Sequence, residues 1–479
     1  MAKKVFIQES FPTNNLSIMK VSAILKRKIQ ERVDDVTVFM ASDILSVHPD
    51  EHDIIIELNM KPELGEEAFA IEDIEGGIRI SANDQRGLLY GAGKLLRTSN
   101  YANCEFKVGS WRGNSGPDKE IRGVYLATHF NNYYHCAPIE EIVEYIEDLA
   151  LWGVNAIAVW FDMHHYTSIE DPNANEMITR LRAILKAVKG MGLMTALVGL
   201  GNEAYAESPV ELRADWSQNP GYSRGLGSHY HVELCPNKPG AMDLMLKWKE
   251  EVFTEFLEIG IDFVLFAPYD QGGCTCLECY PWGGNGFLKI SREASILTRK
   301  LLPDVKIILS AWLFTYFVPD FDPVEWKNLE KLLIEDSSWV DYIMWDYNTT
   351  SITGTEFIYD QYLKENGIPG GLPLLGFPEI SMFATLPYGG WGANPQPDYI
   401  QRLWNKAGSA YEGGFPYSEG LYEDLNKIVC TQLYWDETRN TDDIVKEYIE
   451  YEFSPEPDLA ETIFCAVKKM QSTYILHSR

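Results

Sequence analysis

Between residues 121 and 434, short apolar runs alternate with longer amphipathic ones, and this alternation constrains the fold more than any other feature. The runs at 123–128, 155–161, 194–200, 263–267, 306–312, 341–346, 372–377 and 415–418 have strand length. Between and after them, apolar residues recur at spacings of three and four over 139–153, 174–189, 241–259, 286–301, 324–334, 355–365, 398–411 and 421–434, which predicts helices. Gly153, Gly190, Gly260, Gly367 and Gly413 stand where such helices end. Strands that alternate with helices pair in parallel, because each crossover returns over a face of the sheet with one hand. Strand–helix units repeated in this order predict an α/β fold closed as a (β/α)8 barrel. A doubly wound open sheet is the alternative, but no GxGxxG follows the first strand, so the usual dinucleotide site is missing.

Ahead of the barrel, residues 1–116 read as a small α+β sandwich domain. Strands are expected at 4–8, 36–40, 53–58 and 77–81, with a helix over 16–29. The segment 86–97, RGLLYGAGKLLR, is a helix with Leu88, Leu89, Ala92, Leu95 and Leu96 on one side, suited to dock this domain on the next. The barrel is expected over 117–436. A helix at 441–452 and another after Pro457 make a C-terminal helical segment, 437–479.

The chain carries 41 basic and 70 acidic side chains, a net charge of −29, which repels phosphate backbones and argues against nucleic acid as a partner. No run of about 18 apolar residues exists, so no transmembrane helix and no membrane partner are expected. The start, MAKKVFIQESF, lacks the apolar core of a signal peptide, which points to a cytoplasmic location.

In a parallel barrel the residues just past the C-terminal strand ends line the active face. Here these are His129, Asn131 and Asn132 after strand one, Asp162, His164 and His165 after strand two, and Asn202 and Glu203 after strand three. Strand four gives Tyr269, Asp270 and Gln271, strand five Trp312, strand six Asp346 and Tyr347, strand seven Glu379 with Trp391 further along its loop, and strand eight Tyr417 and Glu419. Carboxylates gathered this closely resist one another's ionisation, and catalysis, a metal or hydrogen bonds to a polyol must offset that cost. Acids with Trp and Asn around a mouth suit glycoside hydrolysis, which needs one protonated carboxyl for the leaving oxygen and one ionised carboxylate for water or the anomeric carbon. Opposing strand ends stand roughly 6–10 Å apart, the inverting range, and strand four lies across the mouth from strand seven. The long loops after strands one and three would wall a pocket, which favours exo-action.

The domain ending in RGLLYGAGKLLR, with the barrel behind it, resembles the accessory domain and barrel of the β-hexosaminidases and α-glucuronidases, one superfamily of glycoside hydrolases. The resemblance implies a proton donor after strand four, matched by Asp270 in Tyr269-Asp270-Gln271-Gly272. It implies an Asp after strand six and a Glu after strand seven that handle the water, matched by Asp346 in Trp345-Asp346-Tyr347 and Glu379 in Pro378-Glu379-Ile380. Phe266-Ala267-Pro268 stands where the α-glucuronidases carry a Lys for the uronate, and Gln271 where the hexosaminidases carry the second acid of an Asp-Glu pair. The reaction class is therefore implied, and the sugar is not. The expected catalytic set is Asp270, Asp346 and Glu379. The expected substrate contacts are His129, Asn131, Asp162, His164, Tyr269, Trp312, Tyr347, Trp391, Tyr417 and Glu419. No cofactor is implied for catalysis, a carbohydrate is the partner, and a homodimer is an open assembly state. Two other readings stand beside this one: a metal-dependent sugar isomerase or epimerase built on His129, His164, His165 and Asp162, and a non-catalytic carbohydrate-binding relative suggested by Gln271.

Cys274-Thr-Cys276-Leu-Glu-Cys279 is C-x-C-x2-C, and Cys235 lies in the loop after strand three, which neighbours the strand-four loop in a barrel. Four thiolates from adjacent loops make a closed tetrahedral zinc site, whose role would be to staple the loop beside Asp270. Free buried thiols and disulfides are the other readings.

Overall fold

The computed structural model describes residues 4–477 apart from 11–15, 34–35, 41–48, 51, 103–104, 130, 216–231, 269–272, 312–322, 346–366, 379, 381–394, 421–422 and 454–455. Two sheets organise it.

The first is built from β1 (Lys4–Glu9), β2 (Thr37–Met40), β3 (Ile54–Met60), β4 (Phe69–Ile74), β5 (Gly77–Ala82) and β6 (Gly113–Ser115), in the order β2-β1-β3-β5-β4-β6. β1, β2, β3 and β5 pair in parallel, while β4 runs antiparallel to both β5 and β6. β4 and β6 are additions to the expected strands. The turn between β4 and β5 has Gly76 at φ 78°, the left-handed region that glycine enters without a Cβ clash. Helices α1 (Leu16–Gln30) and α2 (Gln85–Thr98) pack on this sheet and on each other. α2 starts cleanly because the Asp84 side chain accepts the Gly87 N–H at 2.8 Å.

The second sheet is the barrel. Its strands are β7 (Ile121–Leu126), β8 (Ala156–Trp160), β9 (Met194–Leu200), β10 (Phe263–Ala267), β11 (Lys306–Ser310), β12 (Tyr342–Trp345), β13 (Leu374–Gly376), β14 (Gly413–Gly414) and β15 (Tyr417–Ser418). Neighbours are parallel throughout, and β14 pairs with both β13 and β7, which closes the ring. The expected eighth strand is thus two short pieces, β14 and β15, on either side of Phe415-Pro416. Pro416 has no N–H to give to a ladder, although its carbonyl accepts the Tyr125 N–H at 2.9 Å.

Around the barrel run α3 (Tyr133–Cys136), α4 (Ile139–Leu151), α5 (Pro172–Gly190), α6 (Ala241–Phe256), α7 (Lys289–Leu301), α8 (Pro323–Glu335), α9 (Pro397–Ala407) and α10 (Asp424–Trp435). The helix expected at 355–365 lies outside the described residues. α11 (Thr441–Glu452) and α12 (Pro457–His477) follow. Inside the ring, alternate residues meet in layers: Ala156, Ala158 and Trp160 of β8 and Ala196, Val198 and Leu200 of β9 face Phe263, Leu265, Tyr342, Met344 and Phe415. The small residues on β8 and β9 make room for the aromatic ones opposite. Gly123 serves the same end, since a Cβ there would lie 2.3 Å from the Phe415 ring.

The two sheets are joined at the end of the barrel away from its mouth. α2 docks on α4 and α11, as its apolar side predicted. Gly93 allows the approach, because a Cβ there would sit 1.9 Å from the Leu151 carbonyl oxygen. Glu447 of α11 takes Arg97 at 2.9 Å, Lys94 at 3.2 Å and Arg439 at 2.7 Å. These cations outweigh the effect of burial and hold its carboxyl well below the usual range. Near the start of β7, fully buried Arg122 donates to the Gly153 and Lys119 carbonyls at 2.8 and 2.9 Å and pairs with Glu67 of the first sheet's domain. Glu67 also receives Asn155 Nδ2 at 3.1 Å and Arg86 at 2.7 Å.

Candidate active site at the barrel mouth

The described part of the mouth is mainly the half formed by strands eight, one, two and three (β15, β7, β8 and β9), with Phe377 reaching in from the end of β13. Its floor is aromatic. Tyr125, Phe377 and Tyr417 point inward from their strand ends, with ring centres 5.1 Å apart for Tyr125 and Tyr417, 6.1 Å for Tyr125 and Phe377, and 5.7 Å for Phe377 and Tyr417. Trp160 is the last inward residue of β8, and the buried His129 ring stands edge-on to it at 4.3 Å.

Three carboxyls rise from this floor. Asp162 is buried just past β8, where it caps the short turn Met163–His165. Its Oδ1 accepts from Nδ1 of His164 at 2.6 Å and from the His164 N–H at 3.3 Å, and its Oδ2 lies 3.7 Å from Nε2 of His165. Glu203 is buried past β9 and accepts the Trp160 indole N–H at 3.1 Å. Burial pushes its acid up to about 8, against the pull of the Lys249 ammonium behind it. Lys249 is itself buried, on α6, and donates to the Leu200 carbonyl at 2.8 Å. Glu419, half-buried past β15, accepts the Tyr417 hydroxyl at 3.0 Å, and burial pushes it up to about 7. The Tyr125 hydroxyl feels all three acids; burial first, then Asp162, Glu203 and Glu419, raise its pKa far above the ordinary value.

Of the expected substrate contacts, the structure thus brings His129, Asp162, His164, Tyr417 and Glu419 to one mouth. Asn131 is exposed at φ 47°, and its Oδ1 accepts the Cys136 thiol at 3.1 Å; the neighbouring Asn132 shapes the loop by capping α3. Tyr269, Asp270, Trp312, Asp346, Tyr347, Glu379 and Trp391 lie outside the described residues. Their flanking residues are placed: buried Pro268 follows β10, Ala311 follows β11, Trp345 ends β12, and the Pro378 carbonyl after β13 accepts the Tyr417 N–H at 2.9 Å.

Tyr125, Trp160, Glu203 and Lys249 were not among the selected site residues. Lys249 carried a signal. It falls on the buried stripe of α6 with Met245, Val252, Phe253 and Phe256, and a lysine at such a position needs a buried partner.

Two groups have metal-ligand character. Asp162, His164 and His165 offer ligand atoms within 4.8 Å of one another, without His129. Cys235, Cys274, Cys276 and Cys279 do the same from the loops after β9 and β10, and all four are free thiols.

No protein-family model and no curated protein matches the chain by sequence. Solved structures do match it in three dimensions. A GH138 enzyme targeting pectin rhamnogalacturonan II superposes with a TM-score of 0.63 at 14% identity, covering 98% of this chain and 70% of that one. The GH20 exo-β-N-acetylglucosaminidase from Vibrio harveyi gives 0.60 at 12% identity over 98% of this chain and 75% of its own. The β-hexosaminidase of Streptomyces plicatus gives 0.59 at 13% identity, with 95% and 92% covered. What this chain shares with these glycoside hydrolases is the fold, small domain and (β/α)8 barrel together.

Proposed function

We propose that the chain is a glycosidase that removes a terminal sugar by carboxylate acid–base chemistry at the barrel mouth. One observation carries this reading: carboxyls of different character stand around an aromatic floor at the C-terminal strand ends, on a fold shared with GH20 and GH138 glycoside hydrolases. Burial keeps Glu203 and Glu419 toward the neutral acid, a state that donates hydrogen bonds to sugar oxygens, while Asp162 is supplied with donors from His164. The Tyr125, Phe377 and Tyr417 rings give the sugar an apolar face to rest on.

In this reading Asp270 protonates the leaving oxygen, and Asp346 and Glu379 position and deprotonate the attacking water. Asp270 follows strand four and Glu379 strand seven, across the mouth, which supports inversion. Asp162, His129 and His164 then hold hydroxyl groups of the terminal residue. Phe266-Ala267-Pro268 offers no cation for a uronate, which favours a neutral sugar.

The test is a hydrolysis screen over aryl glycosides, N-acetylglucosaminides and uronides included, with Asp270→Asn beside the wild type. One sugar should be cleaved, and Asp270→Asn should lower kcat at least 10³-fold while the circular dichroism spectrum stays unchanged. Full activity in Asp270→Asn would move the acid elsewhere. No hydrolysis across the panel, together with an EDTA-sensitive isomerisation of free sugars that Cys276→Ser retains, would instead favour a metal-dependent isomerase centred on Asp162, His164 and His165.

A further inference from the structure

We infer that Cys235, Cys274, Cys276 and Cys279 bind one structural zinc ion that locks the loop after β10 to the loop after β9. This site stands apart from the sugar chemistry proposed above. The four Sγ atoms all lie within 4.8 Å of one another. Cys235 Sγ is 3.8 Å from that of Cys276 and 3.5 Å from that of Cys279. A tetrahedron of thiolates around zinc, with Zn–S near 2.3 Å, has edges of about 3.8 Å. The spacing is therefore that of ligands around a common centre, whereas a disulfide would bring two of the sulfurs to about 2.05 Å.

The surroundings fit thiolates better than thiols. Asp215 gives its backbone N–H to Cys274 Sγ at 3.3 Å, and Asn237 Nδ2 points at Cys279 Sγ at 3.2 Å. The Asn237 amide is held in that sense because Lys289 donates to its Oδ1 at 2.5 Å, and its Nδ2 also reaches the Glu278 and Asn285 carbonyls. Donors aimed at sulfur from a fixed second layer are the usual support of a metal-bound cysteine. Cys235, Cys274 and Cys279 are buried and Cys276 is half-buried, and four thiolates fill the tetrahedron, which leaves no position for a substrate.

The backbone shows what the metal would fasten. The Asp215 carbonyl accepts both the N–H and, at 2.7 Å, the hydroxyl of Thr275, so the loop after β9 is already stitched to the C-x-C segment. Just before the cysteines, Gly273 packs so tightly on buried Trp282 that a Cβ would lie 2.0 Å from the indole. Four protons leave the thiols when the ion enters, so the site forms above the pH at which thiolates can be recruited.

The purified full chain, exchanged into metal-free buffer, is assayed by elemental analysis. One zinc per chain is expected, falling below a tenth in Cys276→Ser. If Cys276→Ser does not fold, two measurements on folded protein decide instead. Titration of the wild type with an organomercurial should release the zinc to a chromophoric chelator as four thiols react beyond the exposed Cys136 and Cys465. Asn237→Ala should keep the fold while binding zinc 10- to 100-fold more weakly in chelator competition. Less than a tenth of an equivalent of zinc, iron in its place, or disulfides among these cysteines by mass spectrometry would each overturn the inference. None of these readouts uses a sugar, so they stand whether or not the hydrolysis screen succeeds.

Discussion

Glu419 is the cleanest titrating residue at the mouth. Its folded acid is raised from 4.5 to about 7 by burial, opposed by the Tyr417 hydrogen bond, and no cation is among the causes. Glu203 is raised further, but Lys249 stands behind it and the two titrate together. The consequence for stability has a definite sign. Between about pH 4.5 and 7 the folded chain keeps a proton on Glu419 that the unfolded chain gives up, so the contribution is present below 4.5 and is lost as pH rises through about 7. Melting temperatures of wild type and Glu419→Gln, measured at pH 5, 6, 7 and 8, should converge at pH 5 and diverge toward pH 7, with the Gln variant the more stable there. Parallel curves would place Glu419 in water.

At the level of elements, α2 was legible because its leucines keep a helical period. β4 was not legible: Phe69–Ile74 breaks its alternation with the adjacent acids Glu72 and Asp73, and pairing on both edges by β5 and β6 makes it a strand. The eighth barrel strand was legible as a place and not as a shape, because Phe415-Pro416 sits inside the apolar run. Gly93 in α2 allows a test of the docking. Alanine gains about 1 kcal/mol over glycine in a helix interior. The clash with the Leu151 carbonyl opposes this, and overpacking of that kind costs about 1–3 kcal/mol. Gly93→Ala should therefore be net destabilising in urea, whereas Gly190→Ala, where a Cβ meets nothing within 4 Å, should not.

For the whole molecule, the order of strand ends made the described half of the candidate mouth legible, because each polar cluster there follows an apolar run. The pairings within it, such as Trp160 with Glu203 and Lys249 beneath them, arise from contacts between distant elements that no local pattern encodes. The joint between the sheets is of the same kind. Glu67 and Arg122 lie 55 positions apart, and each is buried. Removing one partner of a buried pair costs about 3–5 kcal/mol. Glu67→Ala should lose that much in chemical denaturation, with both halves melting in one transition, and Glu67→Gln, which can still accept from Asn155, should lose less. The foot of the barrel therefore rests on a carboxylate that the small domain supplies. A recombination event or an engineered fusion that supplied a different small domain would have to bring a carboxylate to the foot of the first barrel strand, or leave buried Arg122 without the one Glu67 gives it.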